Sequence, residues 1–176
     1  CDNGFYFNQV DVTVKNGTVT GDGNAFFAYK DTLTLENVTA ISEDDAAIVI
    51  QDASLTATKD SVNNVKGLST DAILAQGKSS IDGTGTIIAE GKQSAVHVYG
   101  EVFSSGSKYP ADVTVNNPNL FATNSKDNSK VALLVTKDSG TTAKATLYAG
   151  VYENDVDSYC ANGYGAIKLP NDTALE

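Results

Sequence analysis

The sequence has no arginine and no methionine, one histidine (His97) and two cysteines (Cys1 and Cys160). All 12 basic residues are lysine, against 22 Asp plus Glu, for a formal net charge of −10. An acidic surface repels a phosphate backbone, so nucleic acid is excluded as an expected partner. No run of about 18 apolar residues occurs, so no transmembrane segment is expected. The 3.6-residue periodicity of amphipathic helices is missing too, which excludes a helical repeat. With no methionine, not even an initiator, the chain is expected to be a processed or excised piece of a larger protein.

What is present is a short apolar run headed by alanine, and it recurs. Ala25-Phe26-Phe27-Ala28-Tyr29 is followed by Ala47-Ile48-Val49-Ile50-Gln51 and Ala72-Ile73-Leu74-Ala75-Gln76. Ala95-Val96-His97-Val98-Tyr99, Ala132-Leu133-Leu134-Val135-Thr136 and Ala166-Ile167-Lys168-Leu169 continue the series. A second series precedes each copy: Val12-Thr13-Val14, Leu33-Thr34-Leu35, Leu55-Thr56-Ala57, Ile81-Asp82-Gly83, Val113-Thr114-Val115 and Ala145-Thr146-Leu147. The alanine heads are 22 residues apart from 25 to 47, 25 from 47 to 72 and 23 from 72 to 95. Segment 100–111 then reads as an inserted loop and 123–130 as a second polar loop.

Strand types in strict order at this spacing predict an all-β chain. The expected architecture is a right-handed parallel β-helix, a solenoid of about six coils, closed by a short C-terminal capping helix. The hand follows from the crossover rule for parallel strands. The 176 residues form one domain: an N-terminal cap over 1–10, coils over 11–150, and a last coil with a C-terminal cap over 151–176. Asn154 or Asp155 is expected to start the helix and Gly163 to end it. Cys1 and Cys160 then fall at opposite ends. With a rise of about 4.8 Å per coil, they lie far beyond the roughly 7 Å Cα separation a disulfide allows, so free thiols are expected. A mature bacterial lipoprotein also begins with cysteine, but Phe5-Tyr6-Phe7 follows at once with no flexible tether.

Alternation along each strand sorts the side chains. Val12, Leu33, Leu55, Ile81, Val113 and Ala145 form one expected interior column, with Val14, Leu35, Ala57, Val115 and Leu147 beside it. Phe26, Ile48, Ile73, Val96, Leu133 and Ile167 form another, with Ala28, Ile50, Ala75, Val98, Val135 and Leu169. Asn16, Asn37 and Asn117 share a turn position and form a partial asparagine ladder. Thr13, Thr34, Thr56, Thr114 and Thr146 form one outward column. Its neighbour (Lys15, Glu36, Thr58, Thr84, Asn116, Tyr148) is too mixed for an ice-binding array, so both read as ordinary sheet surface.

The stretches Val-Thr-Val-Lys-Asn-Gly-Thr-Val-Thr (12–20) and Leu-Thr-Leu-Glu-Asn-Val-Thr (33–39) resemble the coils of the pectate-lyase-like superfamily of right-handed parallel β-helices. The closing run Ala149-Gly150-Val151-Tyr152, then Asp155-Val156-Asp157-Ser158-Tyr159-Cys160-Ala161-Asn162-Gly163-Tyr164, is similar to a segment recurring in adhesin-like bacterial cell-surface β-helix proteins. The resemblance implies a secreted or cell-surface protein and an adhesin-like or glycan-binding role. The enzymes of that superfamily work with arginine: pectate lyases to abstract a proton, pectin methylesterases beside two aspartates, polygalacturonases in an Arg-x-Lys pair. A chain without arginine completes none of these sets.

Candidate chemistry is therefore sparse. His97 is expected at the surface between Leu74 and Leu134, without the acidic partner that general-base catalysis requires. Asp22, Glu43-Asp44-Asp45 and Asp71 sit in loops that stack before the alanine heads. They form an acidic rim, with Asp44, Asp45 and Asp71 as weak candidates for a calcium site. No cofactor is otherwise expected. The most informative residues are the outward side chains of the alanine-led strands. Phe27, Val49, Leu74 and Leu134 form an apolar stripe interrupted by His97, with Tyr29 and Tyr99 alongside as stacking platforms; Phe27, Tyr29, Val49, Leu74, His97 and Tyr99 are the candidate ligand-binding residues. Loop 100–111 or a neighbouring domain covers this stripe, or it binds a ligand. The expected function is a non-catalytic adhesin-like or glycan-binding module, with a polysaccharide or a host or cell-surface protein as partner. The alternatives are a polysaccharide-degrading enzyme using carboxylates alone and a structural spacer.

Overall fold

The computed structural model describes residues 4–124 and 131–165. The expected final alanine-led strand at 166–169, Cys1 and most of the polar loop at 123–130 lie outside the described residues. Strands, numbered in chain order, carry nearly all the regular structure. They assemble as three stacks of parallel rungs. The first holds β1 (Phe5–Asn8), β3 (Phe26–Tyr29), β5 (Ile48–Gln51), the first part of β8 (Ile73–Gly83), β10 (Ser94–Val102) and β14 (Val131–Lys137). The second holds the first parts of β2 (Val12–Gly21) and β4 (Thr32–Ser42), then β6 (Ser54–Ala57), the second part of β8, β12 (Ala111–Val115) and β15 (Ala143–Leu147). The third holds the remainders of β2 and β4, then β7 (Val62–Gly67), β9 (Thr86–Gly91), β13 (Leu120–Asn124) and β16 (Val151–Tyr152). This long parallel sheet is compatible with a β-helical solenoid.

The corners have a chemical cause. Gln9, Lys30, Asp52 and Gly77, which end successive rungs of the first stack, all have positive φ (56°, 55°, 52° and 65°). A left-handed residue turns the chain there, and glycine takes that conformation without strain. Asp52 accepts the Lys78 N–H at 2.8 Å, and a Cβ on Gly77 would lie 2.2 Å from the same carboxylate. Asn16 and Asn37 do likewise at the next corner (φ 52° and 56°), where the Asn37 amide donates to Asn16 at 3.3 Å.

Between the stacks lies a continuous apolar core. Phe26, Ile48, Ile73 and Val96 are fully buried and in register, as are Leu33, Leu55 and Ile81. Each fully buried aliphatic contributes roughly 1.5–3 kcal/mol. Two buried asparagines satisfy backbone that the strands leave open. Asn63 accepts the Val38 N–H at 3.0 Å and donates to the Thr86 carbonyl at 3.1 Å. Asn117 donates to the Gly85 carbonyl at 3.1 Å and accepts the Asn119 N–H at 2.8 Å.

Two expectations need correction. Val113 pairs with Ser79 rather than Ile81, and Val115 takes the place opposite Ile81. The outward threonine column steps with it: Thr114 faces Ser80, while Thr56 faces Asp82 as expected. A shift of two residues keeps every side chain on its face, so alternation alone does not detect it. At the C-terminus the expected capping helix is only a 3-10 turn over Asp157–Tyr159. Asn154 is not its cap, because its side-chain oxygen accepts the Ala132 N–H of β14 at 2.6 Å. Cys160 then leaves the turn as an extended residue, bridges Leu147 in parallel and carries a free thiol.

Candidate functional site

The outward face of the first stack gathers the chain's distinctive side chains. Register places Tyr6, Phe27, Val49, Leu74, His97 and Leu134 in one column, pair by pair. The Tyr6 and Phe27 rings meet at 5.2 Å. Val49 stands apart from the core cluster yet is only 4% exposed; Phe27 and Leu74 on either side are half-buried. The stripe is thus a packed ridge.

Beside it runs a polar column whose members hold one another. Gln51 donates its amide to Gln76 at 3.3 Å, and Gln76 donates to Glu101 at 2.8 Å. Tyr29 carries the Lys30 ammonium over its ring, 4.9 Å from the centroid. Tyr99 leans on the His97 ring at 5.4 Å and donates its hydroxyl to Asp138 at 2.8 Å. The second Asp138 oxygen accepts the Val102 N–H at 2.8 Å. The two donors, the backbone one first, hold the Asp138 carboxyl below its ordinary range. In return Asp138 pushes the Tyr99 hydroxyl up to about 12.

The inserted segment 100–111 folds as a small hairpin. β11 (Lys108–Tyr109) pairs antiparallel with the end of β10, and Phe103 packs on Tyr109 with rings 6.0 Å apart. The Tyr109 hydroxyl donates to Asp52 at the corner of the face. Burial, then the Asp52 carboxylate, raises the Tyr109 pKa. The hairpin therefore anchors at the end of the polar column.

His97 is not the partnerless imidazole that its column suggests. Its Nδ1 lies 2.8 Å from Asp71 Oδ2 and its Nε2 lies 2.6 Å from Thr136 Oγ1. The other Asp71 oxygen accepts the Ser94 hydroxyl at 2.6 Å. Asp71 is 6% exposed. Leu74 and Leu134 are indeed the in-register neighbours of His97, but the hydrogen bonds run diagonally. Asp71 precedes β8, at a corner where strand alternation has not begun, so parity arguments do not reach it. A signal was available one residue before the alanine heads. That position holds Asn24, Asp71 and Ser94, all buried polar residues, and Asn24 also reaches the next coil, donating to the Ala46 carbonyl at 2.7 Å.

The acidic rim resolves differently. The loops do stack, through Glu43 N–H to Gly21 and Asp44 N–H to Asp22 backbone bonds of 3.0 and 2.8 Å. Asp44 and Asp45 are exposed, with Asp45 accepting the Ala46 N–H at 2.8 Å, while Asp71 is committed to Ser94 and His97. Among the described residues no three His, Cys, Asp or Glu side chains gather into a set able to hold a metal ion. Elsewhere, an open groove of about 540 Å³ lies beside β15, lined in part by Lys144, Tyr148, Tyr159 and Cys160. No helix among the described residues is long and apolar enough to cross a membrane. No protein-family model, curated protein or solved structure matches the chain.

Proposed function

We propose that the chain is a glycan-binding module of an adhesin-like, secreted or cell-surface bacterial protein, and that it engages a polysaccharide on the outward face of the first stack. The module is a right-handed parallel β-helix of about six coils, of the pectate-lyase-like kind. It binds rather than cleaves glycosidic bonds. The observation that carries this reading is the pairing of two columns on one face. Phe27 and Leu74, half-buried on either side of the buried Val49, make an apolar ridge, and beside it Gln51 and Glu101, tied together through the buried Gln76, run on to Asp138 as a row of amides and carboxylates held in place. Sugars present apolar C–H faces and equatorial hydroxyls side by side. They suit aromatic and aliphatic platforms flanked by fixed planar acceptors and donors.

A glycan array followed by calorimetric titration tests this. The expected result is a polysaccharide ligand whose affinity falls about 10-fold or more in Gln51→Ala and Phe27→Ser. Thr34→Ala on the second stack should bind as the wild type does. A reducing-sugar assay separates the carboxylate-only enzyme: new reducing ends, lost in Asp44→Asn or Asp71→Asn, would replace the binding reading. No ligand on the array and no effect of Phe27→Ser would leave a spacer.

A further inference from the structure

Three neighbouring rungs of the first stack each deliver one member of a hydroxyl–imidazole–carboxylate relay: Asp71 ahead of β8, His97 on β10 and Thr136 on β14. An ionised carboxylate can only accept hydrogen bonds. Asp71 accepts from Ser94 and from His97 Nδ1–H, which leaves neutral His97 with a bare Nε2 facing the Thr136 hydroxyl at 2.6 Å. That is the tautomer and direction a general base needs to activate a hydroxyl, and such an arrangement is recognised by geometry and role rather than by position in the chain. Tyr99, paired with Thr136 in register, packs on the imidazole. Leu74 and Leu134 flank His97 along its column.

We propose that Thr136, His97 and Asp71 form an acyl-transfer site that hydrolyses esters of short carboxylic acids. Thr136 Oγ1 attacks the ester carbonyl carbon while its proton passes to His97 Nε2. The tetrahedral species collapses with cleavage of the bond to the alcohol oxygen, and His97 returns the proton to the departing alcohol. Water, deprotonated by the same nitrogen, then attacks the acyl-threonine carbonyl; the bond to Thr136 Oγ1 breaks, His97 returns the proton to that oxygen, and the acid leaves. The sum is ester plus water to acid plus alcohol. Thr136 and His97 are the catalytic residues. Asp71, held by Ser94, is a positioning residue that fixes the tautomer. The proposal does not depend on glycan binding.

The probe is a fluorophosphonate, in which the attacking oxygen displaces fluoride from phosphorus. Intact-mass and peptide analysis is expected to show one adduct, on Thr136, and p-nitrophenyl acetate is expected to be hydrolysed. Thr136→Ser should keep labelling. Thr136→Val, of nearly the same shape, should lose labelling and about 100-fold in hydrolysis, with an unchanged circular dichroism spectrum and melting curve. Asp71→Asn should lower kcat per fluorophosphonate-labelled site with KM little changed, whereas a merely structural defect would lower the number of labelled sites and leave the rate per site as in the wild type. Absence of an adduct on Thr136 in the folded wild type, or equal hydrolysis by wild type and Thr136→Val, overturns the proposal.

Discussion

Asp71 holds hydrogen bonds from the Ser94 hydroxyl and the His97 ring while only 6% exposed. Removing it strands two polar groups at a buried corner. Asp71→Ala should therefore lower the unfolding free energy by about 1–3 kcal/mol. Urea titration checks this, with the midpoint moving and the slope unchanged. Asp138 and Tyr99 set a pH window. The folded Asp138 carboxyl sits below its usual range, so its contribution is complete above pH about 4 and is lost as pH falls through the folded value. The Tyr99 hydroxyl is raised to about 12, so its contribution is complete below pH about 10 and is lost as pH rises towards 12. Stability measured against pH should show both edges in the wild type, the acid edge reduced in Asp138→Asn and a late tyrosinate absorbance phase diminished in Tyr99→Phe. At this scale the sequence was legible where alternation governs, as at Phe27 and Ile48. At the corners alternation was silent, because Asp71 and Ser94 meet through the stacking of rungs, and only the polar residue one place before the alanine heads marked the spot.

β8 shows what the element scale adds. It leaves the first stack at Gly77 (φ 65°), joins the second, and ends at Gly83, whose φ is 93°. A Cβ on Gly83 would lie 2.2 Å from the Ala57 carbonyl oxygen. Backbone, unlike a flexible side chain, yields little, and the conformation itself disfavours L residues. Gly83→Ala should cost at least about 1–3 kcal/mol, read as a lowered thermal midpoint. The rung spacings of 22 to 25 residues marked the strands of the first and second stacks through Gly83, but not β7 at Val62–Gly67 in the third. The two-residue shift that pairs Val115 with Ile81 was not legible, because either register keeps valine inside. At the C-terminus the expected helix is a 3-10 turn, and of its two expected caps Asp155 accepts the Asp157 N–H at 3.0 Å. Asn154, a plausible cap in sequence, is used instead to hold the start of β14.

Across the whole molecule, three stacks share one core but differ on their outward sides. The second stack presents threonine, serine and scattered ion pairs such as Lys15–Glu36 at 2.7 Å, which is ordinary sheet surface. Among the described residues, the first stack alone combines a packed apolar ridge, the Gln51–Gln76–Glu101 row, the Tyr99–Asp138 contact and the His97 relay. The alternating pattern made that face visible in the sequence. Its polar row and its relay depend on contacts between residues about 25 or more positions apart, which no local pattern encodes. The central claim is that this face is where the protein works. A backbone amide NMR titration with the polysaccharide selected on the array tests it most directly. Shifts confined to residues 27–29, 49–51, 74–76 and 97–101 are the expected result. Shifts mapping to the Thr13–Thr34–Thr56 side of the second stack, or none at saturating ligand, would contradict the account.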